Sequence, residues 1–314
     1  MVQPARGDVR IVAISDLNSA YGSVDYDPEV AEGMQLLPFW NPDLVLCGGD
    51  MVAGQDPTLP DTRFQEMWAA FDKVVAAPLR QAAVPFGFTV GNHDASSALG
   101  AQGQFLFQRE RDATAAYWKN PAHNPGLSLI DQTDYPFYYT FQVKDIFVLV
   151  WDASSNTIPA DKLAWVEKAL ASEAAQSAKM RIVMGHLPLR AVSSRRNNFG
   201  DVLNEADQLR SLLEKYKVHT YLSGHHHAYY PGHVGSLQLL HVGILGAGPR
   251  YYIGSDLPPR KSLTVIDVKF DNPELTTYTT YDLQTLQVIK PEELPPSIAG
   301  VNGTLFRRDV KPVS

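Results

Sequence analysis

Six near-continuous apolar runs recur along the chain: "VRIVAISD" (9–16), "DLVLCGGD" (43–50), "VPFGFTVGNHD" (84–94), "IFVLVWD" (146–152), "RIVMGH" (181–186) and "HTYLSGH" (219–225). Unbroken apolarity suits strands covered on both faces. Between the runs the period changes to that of a helix. Phe64, Trp68, Phe71 and Val75 share one helical face, as do Leu163, Val166 and Leu170, with Pro159 near that helix's start, where its missing N–H costs little. Residues 202–216 predict a third helix. The aromatic stripe of Phe64 and Trp68 is read as core. Strands alternating with helices predict a layered α/β fold. After residue 236 the runs "LQLLHVGI", "SLTVIDVKF" and "LTTYTTYDL" predict a second sheet. Residues 1–285 are read as one domain, with 99–136 a lid or an insertion containing a helix around 104–118. Residues 286–314 are read as a Pro-rich tail packed on the domain.

Composition narrows the classes. Of 314 residues, 45% are hydrophobic and 19% charged, enough for a sizeable core. The net charge of -7 argues against a protein that grips long nucleic acid, but leaves room for a small phosphorylated substrate. The single cysteine, Cys47, excludes an intrachain disulfide or a thiolate metal cluster, and its apolar surroundings fit a buried, inert thiol. No apolar stretch approaches the ~20 residues of a membrane span. A cytoplasmic location is expected if Met1 is the native start, and a periplasmic or secreted one if an export signal has been removed. Oligomeric state is not legible.

The chemistry sits where the strands end. Asp16, Asp50, Asn92, His93, His186, His225 and His227 each close one of the apolar runs or follow it directly. Any one has a mundane use, as a turn cap or a satisfied core histidine. Together they matter, because open α/β sheets collect ligands beyond the carboxyl ends of their strands. Carboxylate, amide and imidazole without thiolate make an N/O ligand set for divalent transition metals. Two such metals can clamp a phosphoryl group between them. His123, His219, His233 and His241 fall outside these positions and are not read as ligands.

In order and rough spacing, "DLN" (16–18), "GGD" (48–50), "GNHD" (91–94), "GHLP" (185–188) and "GHHH" (224–227) resemble the motifs of the calcineurin-like metallophosphoesterases. The resemblance implies a four-layer α-β-β-α sandwich, with two mixed β-sheets packed face to face and flanked by helices. It also implies two divalent ions (Mn, Fe or Zn). Asp16, Asp50 and His227 would bind the first, and Asp50, Asn92, His186 and His225 the second, with Asp50 as bridge. The activity implied is hydrolysis of a phosphomonoester or phosphodiester, by in-line attack of a hydroxide held between the metals, with His93 assisting the leaving group. Two departures stand out. Ala53 occupies the position of the tyrosine that colours the red-purple branch, which disfavours that branch. Asn18 stands where the family usually has histidine, and is expected to face the first metal as a weak ligand.

Arg190, Arg195 and Arg196 in "LRAVSSRRNNFG" (189–200) are candidate phosphate contacts. His225 and His227 are expected to share one side of an extended segment. The alternative to an enzyme is a binding or regulatory protein on the same scaffold, impaired at its first metal site by Asn18.

Overall fold

The computed structural model describes residue 1 and residues 3–311. The described residues form two sheets. The six-stranded sheet runs, in spatial order, Gln287–Ile289, Thr277–Asp282, Ser262–Val268, Val9–Ile14, Leu44–Cys47 and Phe86–Phe88. The nine-stranded sheet runs Ser297–Gly300, Gly303–Arg307, Tyr230–Val234, Leu237–His241, Thr220–Ser223, Met180–Met184, Ile146–Val150, Tyr138–Val143 and Ser128–Asp134. Both are mixed, with helices packed on them, as expected for the fold class. The central strands are buried along their whole length, which is why they read as unbroken apolar runs.

In the first sheet, Val9–Ile14, Leu44–Cys47 and Phe86–Phe88 are parallel neighbours. Their crossovers carry the helices Pro28–Trp40 and Asp61–Phe71. Pro28 opens the first of these and Asn41, at φ 49, ends it. In the second sheet, Ile146–Val150, Met180–Met184 and Thr220–Ser223 are likewise parallel, crossed by Ala160–Leu170 and Ala206–Lys215. The sheets meet where the Tyr139 hydroxyl reaches the backbone of Phe88 and where Thr89 Oγ1 donates to the Trp151 carbonyl at 3.2 Å. A side chain at Gly87 would run into the ring of Phe141.

The strand-rich final third does not make one sheet of its own. Leu237–His241 pairs in parallel with Thr220–Ser223. Ser262–Val268 instead runs antiparallel to Val9–Ile14 in the other sheet. The chain thus returns to both sheets, and the segment after residue 286 adds Gln287–Ile289 to one and the hairpin 297–307 to the edge of the other. Within 99–136 lie the helix Gln108–Lys119 and the edge strand Ser128–Asp134.

Candidate metal centre

The parallel strands of both sheets deliver their C-terminal ends to one place. Asp16, Asp50, Asn92, His186, His225 and His227 arrive there from five strands. Oxygen or nitrogen atoms of Asp16, Asp50 and His186 all lie within 4.8 Å of one another, and all three residues are buried. Four of the six are non-glycine residues in the left-handed region: Asp16 (φ 50), Asp50 (φ 54), His225 (φ 64) and His227 (φ 51). Such backbone costs about 1–3 kcal/mol per residue and gathers at functional sites. These residues turn rather than extend, so strand alternation is not what aims His225 and His227, nor what relates Asn18 to Asp16.

Two glycines permit the close approach. A side chain on Gly91 would collide with the Asp50 carboxylate, and one on Gly224 with Ser15 Oγ and the Asp16 carboxylate. Asp94 ties the loops together: Oδ1 accepts from the Met51 and Val52 N–H groups at 2.7 and 2.9 Å, and Oδ2 from Gly91 at 2.8 Å.

Hydrogen bonds fix which atoms face inward. His186 Nδ1 donates to the Gly48 carbonyl at 2.7 Å, leaving Nε2 3.0 Å from Asn92 Oδ1 and 3.3 Å from Asp50 Oδ2. His225 Nε2 donates to Asp201 Oδ1 at 3.1 Å, leaving Nδ1 2.9 Å from Asn92 Oδ1. His227 Nδ1 donates to the Gly248 carbonyl at 2.9 Å, leaving Nε2 3.1 Å from Asp16 Oδ1. Asn92 is oriented by Nδ2, which donates to Gln55 Oε1 at 2.7 Å. Imidazole nitrogens therefore face amide and carboxylate oxygens, and with the protons between them removed they offer lone pairs. That donor set repels itself unless positive charge lies among it, and it fits divalent cations, with each outer ring nitrogen held by an acceptor as metal-binding histidines require.

Without an ion, protons supply part of that positive charge. Burial alone would raise Asp50 and Asp16, but His186 and His93 beside the one, and His227 beside the other, hold both carboxyls below their usual range. Burial disfavours charge on His186, yet Asp50 outweighs it and lifts the imidazole to about 9. Burial takes His225 down to about 4 against the pull of Asp201. Burial, then Asp50, pushes Asp94 up to about 7.

His93 stands apart from the cluster. Its backbone N–H donates to Asp50 Oδ1 at 2.8 Å and its Nδ1 to the Gly54 carbonyl at 2.9 Å, while Nε2 has no hydrogen bond among the described residues. Its ring lies 5.1 Å from that of Tyr21. Asn18 is buried beside the cluster, with its N–H 3.2 Å from the Asp50 carbonyl, and makes no side-chain hydrogen bond among the described residues. His226 is buried and accepts the Val192 and Ser193 N–H groups on Nδ1, so it anchors the 189–203 loop. Of the arginines, Arg190 is engaged by Asp207 and Arg196 by Asp201, whereas Arg195 is exposed without an ion pair among the described residues.

Sequence motifs did not reveal Asp201, Gln55 or Arg250. Arg250 Nη1 donates to the His225 carbonyl at 2.8 Å, and burial, then Arg196, lowers its guanidinium to about 10. The one available signal was the placement of Asp201 in the polar loop that follows His186.

The sequence profile of a family described as calcineurin-like phosphoesterase matches residues 9–229. No curated protein matches the chain by sequence. Among solved structures, the purple acid phosphatase PPD1 of yellow lupin (Lupinus luteus) seeds is similar, with a TM-score of 0.61 at 17% identity, over 92% of this chain and 54% of its own. This chain thus spans about half the length of the lupin protein. GAP50, the anchor in the inner membrane complex of Plasmodium, aligns with a TM-score of 0.56 at 16% identity, over 90% of this chain and 87% of its own. At these identities the likeness is one of fold.

Proposed function

Because the chain belongs to the calcineurin-like phosphoesterase family, we propose that it is a metal-dependent hydrolase of small phosphoesters, with its centre at Asp16, Asp50, Asn92, His186, His225 and His227. The observation that carries this reading is the convergence of three imidazole nitrogens on Asn92 Oδ1 and Asp16 Oδ1, with Asp50 Oδ2 3.3 Å from His186 Nε2. Asp16, Asp50 and His227, with Asn18 beside them, would hold one divalent ion; Asp50, Asn92, His186 and His225 would hold the other. Two ions so placed supply charge neutralisation for a phosphoryl group and an activated water.

The chain's own groups do the rest. Asp50 serves both halves of the centre, and its Oδ1, by accepting the His93 N–H, positions the neighbouring imidazole. His93, steadied by Gly54, presents Nε2 as the proton donor to the departing oxygen. Asp201 and Gly48 hold the tautomers of His225 and His186, and Gln55 holds the amide of Asn92. The test is hydrolysis of 4-nitrophenyl phosphate and bis(4-nitrophenyl) phosphate by the Mn²⁺-loaded protein and by Asp50→Asn. Turnover of either ester that is lost in the variant supports the reading; absence of turnover on both contradicts it.

A second reading draws on Asn18. An amide in place of imidazole weakens the first site, and a scaffold of this kind with one poor site would serve as a binding or regulatory protein. The Plasmodium anchor, of similar fold, fits such use. Full metal loading without turnover would favour it.

A further inference from the structure

Large apolar side chains exposed singly are ordinary on a protein surface. Three of those here are not scattered. Tyr21 is 62% exposed although its ring lies 5.1 Å from that of His93. Phe199 is 70% exposed and lies two residues before Asp201, the partner of His225. Tyr251 is 50% exposed and follows Arg250, which donates to the carbonyl of His225. Tyr21 therefore stands beside His93, and the segments that carry Phe199 and Tyr251 border His225.

Tyr21 is held there by the backbone. It sits in the turn closed by Ser23 N–H and the Ala20 carbonyl at 2.9 Å, and the next residue, Gly22 at φ 73, donates to the Ala53 carbonyl at 2.6 Å. The backbone of Tyr21 is thus tied to the loop that carries Asp50. Phe199 is fixed in its turn, because Asp201 donates to the Asn198 carbonyl at 3.0 Å and its carboxylate is gripped by Arg196. Aromatic rings left bare on anchored backbone bind flat partners at a low ordering cost.

The geometry points to a substrate whose alcohol carries a flat aromatic ring, of nucleoside or aryl type, seated on Tyr21 and bounded by Phe199 and Tyr251. This rests on the phosphoesterase reading above. In that reading His93 protonates the departing oxygen, so the alcohol lies beside His93, and the surface that it meets there is Tyr21. Stacking of a base on an aromatic side chain is worth roughly tenfold or more in affinity.

The experiment compares esters that share the scissile group and differ in the ring. AMP is set against ribose 5-phosphate, and benzyl phosphate against cyclohexylmethyl phosphate. Dissociation constants are measured by calorimetry and kcat/KM by phosphate release, both on the Mn²⁺-loaded protein. A preference of about tenfold or more for the ring-bearing member of either pair is expected, and the pair that shows it tells nucleoside from aryl. Tyr21→Ala and Phe199→Ala should shrink the ratio several-fold, and Tyr21→Phe should keep it. Equal constants within both pairs overturn the inference, as does a ratio untouched by Tyr21→Ala or lost equally in Tyr21→Phe. Equal hydrolysis within each pair would leave the phosphoesterase reading standing and sink this one. Selective binding without hydrolysis of any ester would do the reverse.

Discussion

Asp201 Oδ1 lies 3.1 Å from His225 Nε2 and is held at the same oxygen by Arg196 Nη1 at 2.8 Å. His225 and Arg196, against the opposing effect of burial, keep the Asp201 carboxyl below its usual range. The pair turns the other nitrogen of His225 toward Asn92, so a loop residue outside every motif sets the orientation of a proposed ligand. Partners of this kind are worth roughly 10–100-fold in metal affinity. Asp201→Ala should therefore weaken the more tightly bound metal by about that factor, read by competition with a chromophoric chelator. An unchanged constant would mean that Asp201 only shapes the loop.

Asn18 is the residue at which we propose that the first metal site is weakened. Its buried side chain makes no hydrogen bond among the described residues, and its backbone N–H lies 3.2 Å from the Asp50 carbonyl. Imidazole is the better donor to borderline metals. Asn18→His should raise occupancy of the weaker site at low Mn²⁺, and Asn18→Ala should lower it. Identical binding curves for the three proteins would reduce Asn18 to a turn residue.

His93 offers a cleaner separation of chemistry from binding. Its Nδ1 is spent on Gly54 and its ring is not in the metal cluster. His93→Asn should lower kcat by roughly 10²–10⁴-fold on esters with poor leaving groups and by less on aryl esters, with bound metal unchanged. Loss of both metals in this variant would make the imidazole a ligand.

Acid should destabilise the fold through two buried histidines outside the proposed ligand set. Burial lowers His219 to about 4, with Arg308 adding to the effect, and burial lowers His241 to about 3. Neither ring nitrogen of His241 has a hydrogen-bond partner among the described residues. Between the ordinary histidine value near 6.5 and these folded values, the unfolded chain binds more protons than the native one. Stability is therefore full above about pH 6.5 and falls as pH drops toward 4, by up to about 1.4 kcal/mol per pH unit for each group. His241→Leu should flatten that slope in denaturant titrations at pH 4.5–6.5, and an unaltered slope would remove His241 from the explanation.

The strand-end residues of the candidate centre were legible because continuous apolar runs and their polar last residues lie close together in sequence. The partition of the late strands was not. Val9 pairs with Val268 across nearly the whole chain, and nothing local in "SLTVIDVKF" says which sheet it joins. The strand Ser128–Asp134 escaped because it sits on a sheet edge with mixed exposure and two register shifts, so its apolar signal is weak. Within the site, the left-handed backbone at Asp16, Asp50, His225 and His227 was hidden, since none of them is glycine. Asp201 and Gln55 were hidden for another reason: each acts through one side-chain contact with a distant residue, and such contacts leave no spacing pattern.

The central claim is a two-ion centre spanned by Asp50 that hydrolyses phosphoesters. It is tested most directly by plotting turnover of 4-nitrophenyl phosphate against Mn²⁺ bound per chain, starting from chelator-treated protein. The expected result is little activity through the first equivalent and a rise with the second, with the rise absent in Asp50→Asn. Full activity at one bound ion, or none at two, would contradict it.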